Sequence, residues 1–487
     1  LQVSEVNPHY LAYKDGTPFF WLGDTAWKLF HQTSREEAEL YLENRRMNDF
    51  NVIQAVAIVD VFGLTQPNYY DDLPLLGRTP THLDTTTGND PADGTAYDYW
   101  DHVDFIIDLA ASKNLYIGLV AIWGEYVTPR YTSDNLIFKT TAQAYLYGHF
   151  LGNRYQNRPN IIWILGGDRH PDEHPNGIAT WRAMAEGIAD GTNGIQKTGW
   201  SGRYTTTVMT HHSFGTSAQW FHLDPWIDLH TFGSYHFDFY LPRAYEQVEK
   251  DWSLPNPKPT LNSEPAYENH PVNWLDGNGV FIAYDVRQTA YWSVFAGAVG
   301  HTYGAHPIWQ FYDTSKTPES PTFATWKEAL DFPGSIQMKF LKQLIQSRPM
   351  LERIPDQSLI LAGQKSGLFH IQATRGKNYA FIYLPTRRPV TIKLGIIDGK
   401  TIKAWWFNPS TGEATLIDQF KNFGKKSLNR RTFYLHIIGS KLGAVATGCW
   451  FWMMLRQNSM NLVNKVWRDV FDLYPASPFL MSENRLS

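Results

Sequence analysis

The 487-residue chain holds one cysteine, Cys449, which excludes an intrachain disulfide framework and a cysteine-built metal centre. It also lacks a strong charge of either sign. Its 43 Lys and Arg against 47 Asp and Glu leave a formal net charge of −4, with no electrostatic footprint for nucleic acid or an acidic membrane surface. No apolar run approaches the roughly 18 residues needed to cross a bilayer. The opening Leu1-Gln2-Val3-Ser4-Glu5 has neither the basic start nor the apolar centre of a secretory signal. Neither HExxH nor EF-hand spacing occurs, so no metal or other cofactor is expected. What is plentiful is aromatic. Phe, Trp and Tyr make up 15% of the chain, with 19 Trp, whose flat apolar faces suit sugar rings.

A hydrophobic content of 43% with 18% charge describes a globular protein with ample core, and the length suggests two domains. The stretch Asn160-Ile-Ile-Trp-Ile-Leu-Gly-Gly-Asp168 organises the first. Its apolar run, 161–165, is too short for an ordinary helix and is broken by Gly166 and Gly167, as in a strand buried on both faces of a parallel sheet. The run delivers Asp168 to the strand's carboxyl end, either as a catalytic group or simply as a cap. Phe19-Phe-Trp-Leu-Gly-Asp24 repeats the theme, and Ser34-Arg-Glu-Glu37 is a capping box that opens a helix carrying Ala38, Tyr41, Leu42 and Arg45.

Strands are expected over 19–24, 51–58, 115–122, 161–165, 204–209, 227–231, 259–262 and 300–303. Helical patterns alternate with them over 97–112, 140–155, 178–189, 243–251, 285–298 and 336–347. Eight strand–helix units within residues 1–348 spell a (β/α)8 TIM barrel, an α/β fold, with long loops at 59–96 and 304–333. Over 349–424 the rhythm becomes short alternating strands separated by Arg375-Gly376, Asp398-Gly399 and Thr411-Gly412, a small antiparallel β-sandwich. No closing strand is expected after Phe420. Residues 425–487 differ in composition, with four of the nine Met, the only Cys, nine Lys or Arg and three Asp or Glu. They read as an atypical, non-native tail such as a shifted reading frame would produce.

The strand ends collect carboxylates, imidazoles and aromatics, the makings of a sugar-binding cleft. Glycoside hydrolysis needs two carboxyl groups across the scissile bond, and Asp168 after the fourth strand and Glu264 after the seventh stand across the barrel mouth. Candidate substrate contacts are Asp24, Trp27, Trp123, Glu125, His211, His212, His236, Tyr267, His301 and Tyr303. Several have competing readings. Asp24 fits hydroxyl binding or support of a neighbour, Glu125 rivals either catalytic carboxylate, and the two tryptophans serve equally well as packing. The histidines, with His306, leave a metal-dependent hydrolase open; a non-catalytic carbohydrate- or collagen-binding protein is the other alternative.

Three strings, Trp21-Leu-Gly-Asp-Thr-Ala-Trp27, Trp163-Ile-Leu-Gly-Gly-Asp168 and Asn262-Ser-Glu-Pro265, together with the order of barrel then sandwich, make residues 1 to about 420 resemble the apiosidase-like barrel family, glycoside hydrolase family 140. The second domain resembles one often labelled collagen-binding, a family name rather than a function. The resemblance implies cleavage of apiosyl linkages in the side chains of the pectin rhamnogalacturonan II. It places the acid/base on Asp168 and the nucleophile on Glu264, a pair that the retaining barrel glycosidases carry after the same two strands. The expected partner is thus an oligosaccharide or polysaccharide, met by a bacterial enzyme in the periplasm or outside the cell.

Overall fold

The computed structural model describes residues 1–59, 63–130, 132–195, 203–204 and 208–429. Eight parallel strands build the first domain: β1 (Trp21–Thr25), β2 (Val52–Val56), β3 (Tyr116–Val120), β4 (Ile161–Gly166), β5 (Met209–His212), β6 (His230–Gly233), β7 (Thr260–Glu264) and β8 (Gly300–Tyr303). Of all their residues only Tyr116 is not buried. This two-sided burial is why the sequence shows apolar runs rather than alternation. A six-stranded ladder runs β8-β1-β2-β3-β4-β5, and β6 pairs with β7. Single backbone bonds close the ring, from Asp228 N to Met209 O (2.9 Å) and from Val299 N to Thr260 O (3.0 Å).

Around the strands pack α1 (Arg35–Met47), α2 (Tyr99–Ser112), α3 (Thr141–Arg154), α4 (Gly177–Thr192), α5 (Arg243–Trp252), α6 (Ala283–Phe295) and α7 (Pro333–Gln346). One turn, Ala218–Phe221, stands in the fifth helical position. The expected capping box is present at α1: the Ser34 hydroxyl accepts from Glu37 N, and Ala38, Tyr41, Leu42 and Arg45 are buried. Asp98 and Thr140 cap α2 and α3 in the same reciprocal way.

Two strands lie further along the chain than expected. The fifth begins at Met209, where the sequence pattern ends it, and includes both histidines; the sixth begins at His230. Residues 205–207 of the expected fifth strand lie outside the described residues. At the amino ends of the strands, Trp21, Val52, Ile162, Val208, Leu229, Leu261 and Val299 form one apolar cluster with Tyr10, Leu11 and Phe19. Three two-residue strands, Gln2–Val3, Leu11–Ala12 and Pro18–Phe19, therefore plug the barrel floor. Each fully buried large side chain there contributes about 1.5–3 kcal/mol. The floor is sealed, so the opposite rim is left for ligands.

Antiparallel sheets follow: β9 (Ile354–Pro355), β11 (Gln372–Arg375) and β12 (Ala380–Tyr383) in one, β10 (Ile360–Ala362), β13 (Val390–Lys393) and β16 (Lys425–Leu428) in another, with β14 (Thr401–Phe407) paired to β15 (Ala414–Lys421). The expectation that no closing strand follows Phe420 is corrected. After a turn at Gly424 (φ 80°), β16 pairs in register with β13, Lys425 opposite Lys393 and Leu428 opposite Val390. The rest of the expected tail, 430–487, lies outside the described residues. This second domain packs on α5 and α6. His370 stacks on Tyr245 (centroids 3.8 Å apart), and its carbonyl accepts from Trp292 Nε1 at 2.9 Å. Among the described residues no helix is long and apolar enough to cross a membrane.

Candidate active site

A cleft of about 430 Å³ opens at the carboxyl ends of the strands. Glu264, the last residue of β7, lies at its base with 5% of its side chain exposed. Asp168 reaches it from β4 by way of two glycines. Gly166 and Gly167 have φ of 88° and 145°, and Asp168 itself is left-handed at 47°. A Cβ on Gly166 would lie 2.2 Å from His212 O, and one on Gly167 would lie 2.6 Å from the Trp123 ring. Only glycine lets the chain turn so tightly against its neighbours and swing the carboxylate into the mouth.

Two imidazoles hold the acids. His212 Nε2 lies 3.0 Å from Glu264 Oε2 and 3.2 Å from Asp168 Oδ1, while its Nδ1 faces Ser263 Oγ at 3.2 Å. Ser263 Oγ donates to Phe232 O, so it accepts from Nδ1–H. With protons wanted at both nitrogens, His212 is an imidazolium. Burial alone would lower its pKa, but the bonds to the two carboxylates outweigh that and hold it at about 9. On the other oxygen, His236 Nε2 donates to Glu264 Oε1 at 3.2 Å, its Nδ1 accepting from Tyr267 N.

The consequence is a divergence of the two acids. Burial raises Asp168, and the nearby Glu264 charge raises it further, to about 7, against the lowering pull of His212. Burial would raise Glu264 too, but the bonds from His212 and His236 hold it well below the usual carboxylate range. The Asp168 side chain is 41% exposed to the cleft, so water moderates its shift, and the direction is secured by its proximity to Glu264. Two carboxyl groups with pKa values pushed apart are the signature of an acid paired with an ionised partner.

The other expected contacts divide. Trp27, Trp123, Glu125, His236 and Tyr267 line the cleft. Trp27 Nε1 donates to Tyr267 Oη at 3.1 Å and its ring meets Trp123 edge-on. Glu125 is 2% exposed and accepts from Arg130 N (2.8 Å) and Asn135 Nδ2 (3.2 Å). His212 serves the carboxylates from below with 1% exposure.

Five candidate residues are corrected, since none of them lines the cleft. Asp24 is fully buried and faces α1, where Arg45 Nε and Tyr41 Oη each bind its Oδ2 at 2.6 Å. His211, one residue before His212, points to the helix layer, with Nδ1 on Ser213 Oγ (2.6 Å) and its ring between Trp181 and Phe221. His301 is wholly buried, and Tyr303 turns outward to donate to Glu268 Oε2 at 2.6 Å. His306 is tied to Pro321 O and Trp309 Nε1.

Further lining comes from Phe214, Tyr235, Phe237 and Trp274 in the connections after the strands, and from Trp309 at the end of the one-turn helix His306–Trp309, where no periodicity marks a side chain for the cleft. Asp168, His212 and Glu264 are the residues able to hold a cation, since one ligand atom from each lies within 4.8 Å of the others; the remaining histidines do not join them in any such group among the described residues. The same figure bounds the nearest oxygens of the two carboxylates.

The profile of the family described as "Apiosidase-like, catalytic domain" matches residues 5–352, and that described as "Putative collagen-binding domain of a collagenase" matches 354–432. One solved structure, described as a glycoside hydrolase, is 35% identical with a TM-score of 0.78, covering 90% of this chain and 94% of its own. A family 5 glycoside hydrolase from Bacteroides vulgatus ATCC 8482 is 33% identical with a TM-score of 0.79, covering 90% of each chain. No curated protein matches the chain.

Proposed function

The chain belongs to the apiosidase-like family and is a glycosidase, and from that premise we propose that it hydrolyses apiosyl linkages in the side chains of rhamnogalacturonan II with retention of configuration. Asp168 is the acid/base and Glu264 the nucleophile. The observation that carries this reading is a carboxylate pair whose nearest oxygens lie within 4.8 Å of each other, with His212 bonded to both, a close pairing that favours the shorter of the two spacings. Retaining enzymes hold their carboxyl groups about 5–5.5 Å apart, whereas inverting ones leave roughly 6.5–9.5 Å for a water.

In the first step a Glu264 oxygen bonds the anomeric carbon as the glycosidic C–O bond breaks, and Asp168 gives its proton to the leaving oxygen. Glu264 is then an uncharged ester. The repulsion that raised Asp168 is gone while the His212 cation remains, so the Asp168 pKa falls and it becomes a base. In the second step it takes a proton from water, whose oxygen attacks the anomeric carbon and frees Glu264. The substrate class also supports an enzyme that works in the periplasm or outside the cell.

The test is release of reducing sugar, with apiose among the products sought, from rhamnogalacturonan II oligosaccharides. Asp168→Asn and Glu264→Gln should each abolish turnover in a folded protein, and the first-formed anomer, read by proton NMR, should match the substrate's. Full activity in either variant, or an inverted product, refutes the assignment.

A further inference from the structure

Trp274 is the exception among the aromatic residues of the cleft. The others are largely buried, whereas Trp274 lines the cleft with 49% of its surface open. Its backbone is left-handed (φ 62°), as is that of Asn273 before it (φ 61°). Asparagine tolerates that region, but for a bulky residue it is a true outlier. Strain of this kind persists only where surrounding structure enforces it, and it gathers at functional sites. The enforcement is visible here. Asn273 N donates to His236 O (2.9 Å), Asn273 Oδ1 accepts from Asp238 N (3.0 Å), and Trp274 N donates to Pro271 O (3.1 Å). The indole stands perpendicular to His270 (4.3 Å) and to His236 (5.5 Å), and these two imidazoles stack on each other at 4.0 Å.

We propose that Trp274 is a stacking platform for a second sugar ring on the glycone side, so that the enzyme prefers a glycone of at least two sugars over a single one. The side follows from Glu264. His212, which also binds Asp168, lies at its Oε2, and His236, with Trp274 edge-on to it, lies at Oε1. The acid stands by the leaving group, so a ring beyond the opposite oxygen meets the part of the glycone distal to the scissile bond. A half-open indole offers a saccharide the apolar face that its C–H groups cover, and the imidazoles behind it keep it from folding onto the core. This placement rests on the acid and nucleophile roles proposed above.

Trp274→Asn is the informative variant, because asparagine removes the platform while suiting the left-handed backbone. Its Tm should be unchanged or higher than the wild type's. Two substrates are compared: 4-nitrophenyl apioside, and a rhamnogalacturonan II oligosaccharide in which the apiose carries at least one further sugar. The ratio of kcat/KM for the oligosaccharide to that for the aryl glycoside should fall about 10- to 30-fold, mostly through KM, the scale expected from uncovering half an indole. Trp274→Phe should recover part of it. An equal loss on both substrates would make Trp274 a support for His236 and overturn the platform, as would an unchanged ratio. If the wild type hydrolyses neither substrate, the apiosyl reading fails by itself. The platform is then judged by affinity electrophoresis in gels holding pectin, xyloglucan or galactomannan: retardation of the wild type that Trp274→Asn loses supports it, and equal mobility in all three refutes it.

Discussion

Replacing His212 by glutamine tests the charge state on which the site depends. The glutamine amide can still donate hydrogen bonds but cannot carry the positive charge that His212 holds between Asp168 and Glu264. Unit charges about 4 Å apart at an effective dielectric near 20 interact by about 4 kcal/mol. With one pKa unit worth about 1.4 kcal/mol and the amide keeping part of the interaction, Glu264 should rise by roughly 1–3 units. Asp168 should rise less, because its side chain is 41% exposed and water screens it. The signs are definite. Glu264 must be ionised to attack, so activity is lost as pH falls through its pKa, and raising that pKa moves the acid limb upward. Asp168 must be protonated to donate, so activity is lost as pH rises through about 7, and raising that value moves the basic limb upward too. The assay is the pH dependence of kcat/KM, whose limbs report the three groups titrating together. Both limbs should shift to higher pH, the acid one further. A profile lowered in height but unmoved along the pH axis would show that His212 is neutral in the working enzyme, and the electrostatic argument would fall.

The barrel was legible where strands are apolar throughout, and less so where they are not. β2, β3 and β4 are built mainly of Val, Ile and Leu, with Gln54 the one polar side chain among them, and hydropathy marks them directly. β5 and β6 carry His211, His212, His230 and Thr231, all buried and each hydrogen-bonded in place. Burial of satisfied polar groups leaves no apolar signal, so both strands are read too early in the chain. β16 escaped for a related reason. Lys425 and Lys426 look like tail charge, yet lysine on an edge strand is a common guard against further pairing, and Gly424 supplies the turn.

The site was half legible, and Asp24 against Asp168 shows why. Both end an apolar strand with Gly-Asp. In β1 a single glycine leaves the alternation intact, and Asp24 faces the helix layer and Arg45. In β4 the second glycine turns the chain, and Asp168 faces the cleft. One residue of backbone geometry decides between a structural ion pair and a catalytic candidate, and composition does not contain it. The neighbours His211 and His212 make the same point, since strand alternation sends one outward and the other between the carboxylates. Tyr235 and Trp274 sit in loops at left-handed positions that no side-chain pattern announces.

The placement of Asp24 predicts that Asp24→Asn, which uncouples the buried Arg45, destabilises the fold by roughly 3–5 kcal/mol in urea titration. The folded fraction should keep its KM, and a normal stability with a raised KM would return Asp24 to substrate binding. Gly167→Ala should lower kcat at least about 100-fold, since a displacement of about 1 Å at a reacting group has that effect and the new Cβ would press on Trp123; wild-type activity would show that the turn is not what aims Asp168. The last prediction concerns metal. For Asp168, His212 and Glu264 to hold a cation, His212 Nε2 must be unprotonated and both carboxylates ionised, which leaves no proton for a leaving group. Coordination and acid catalysis are therefore mutually exclusive for these atoms. Dialysis against a chelator should leave activity intact, and added Zn²⁺ should inhibit, more strongly as pH rises and the ligands lose their protons. Loss of activity on chelation, restored by Zn²⁺, would mean that Asp168 is a ligand and that the proton comes from elsewhere.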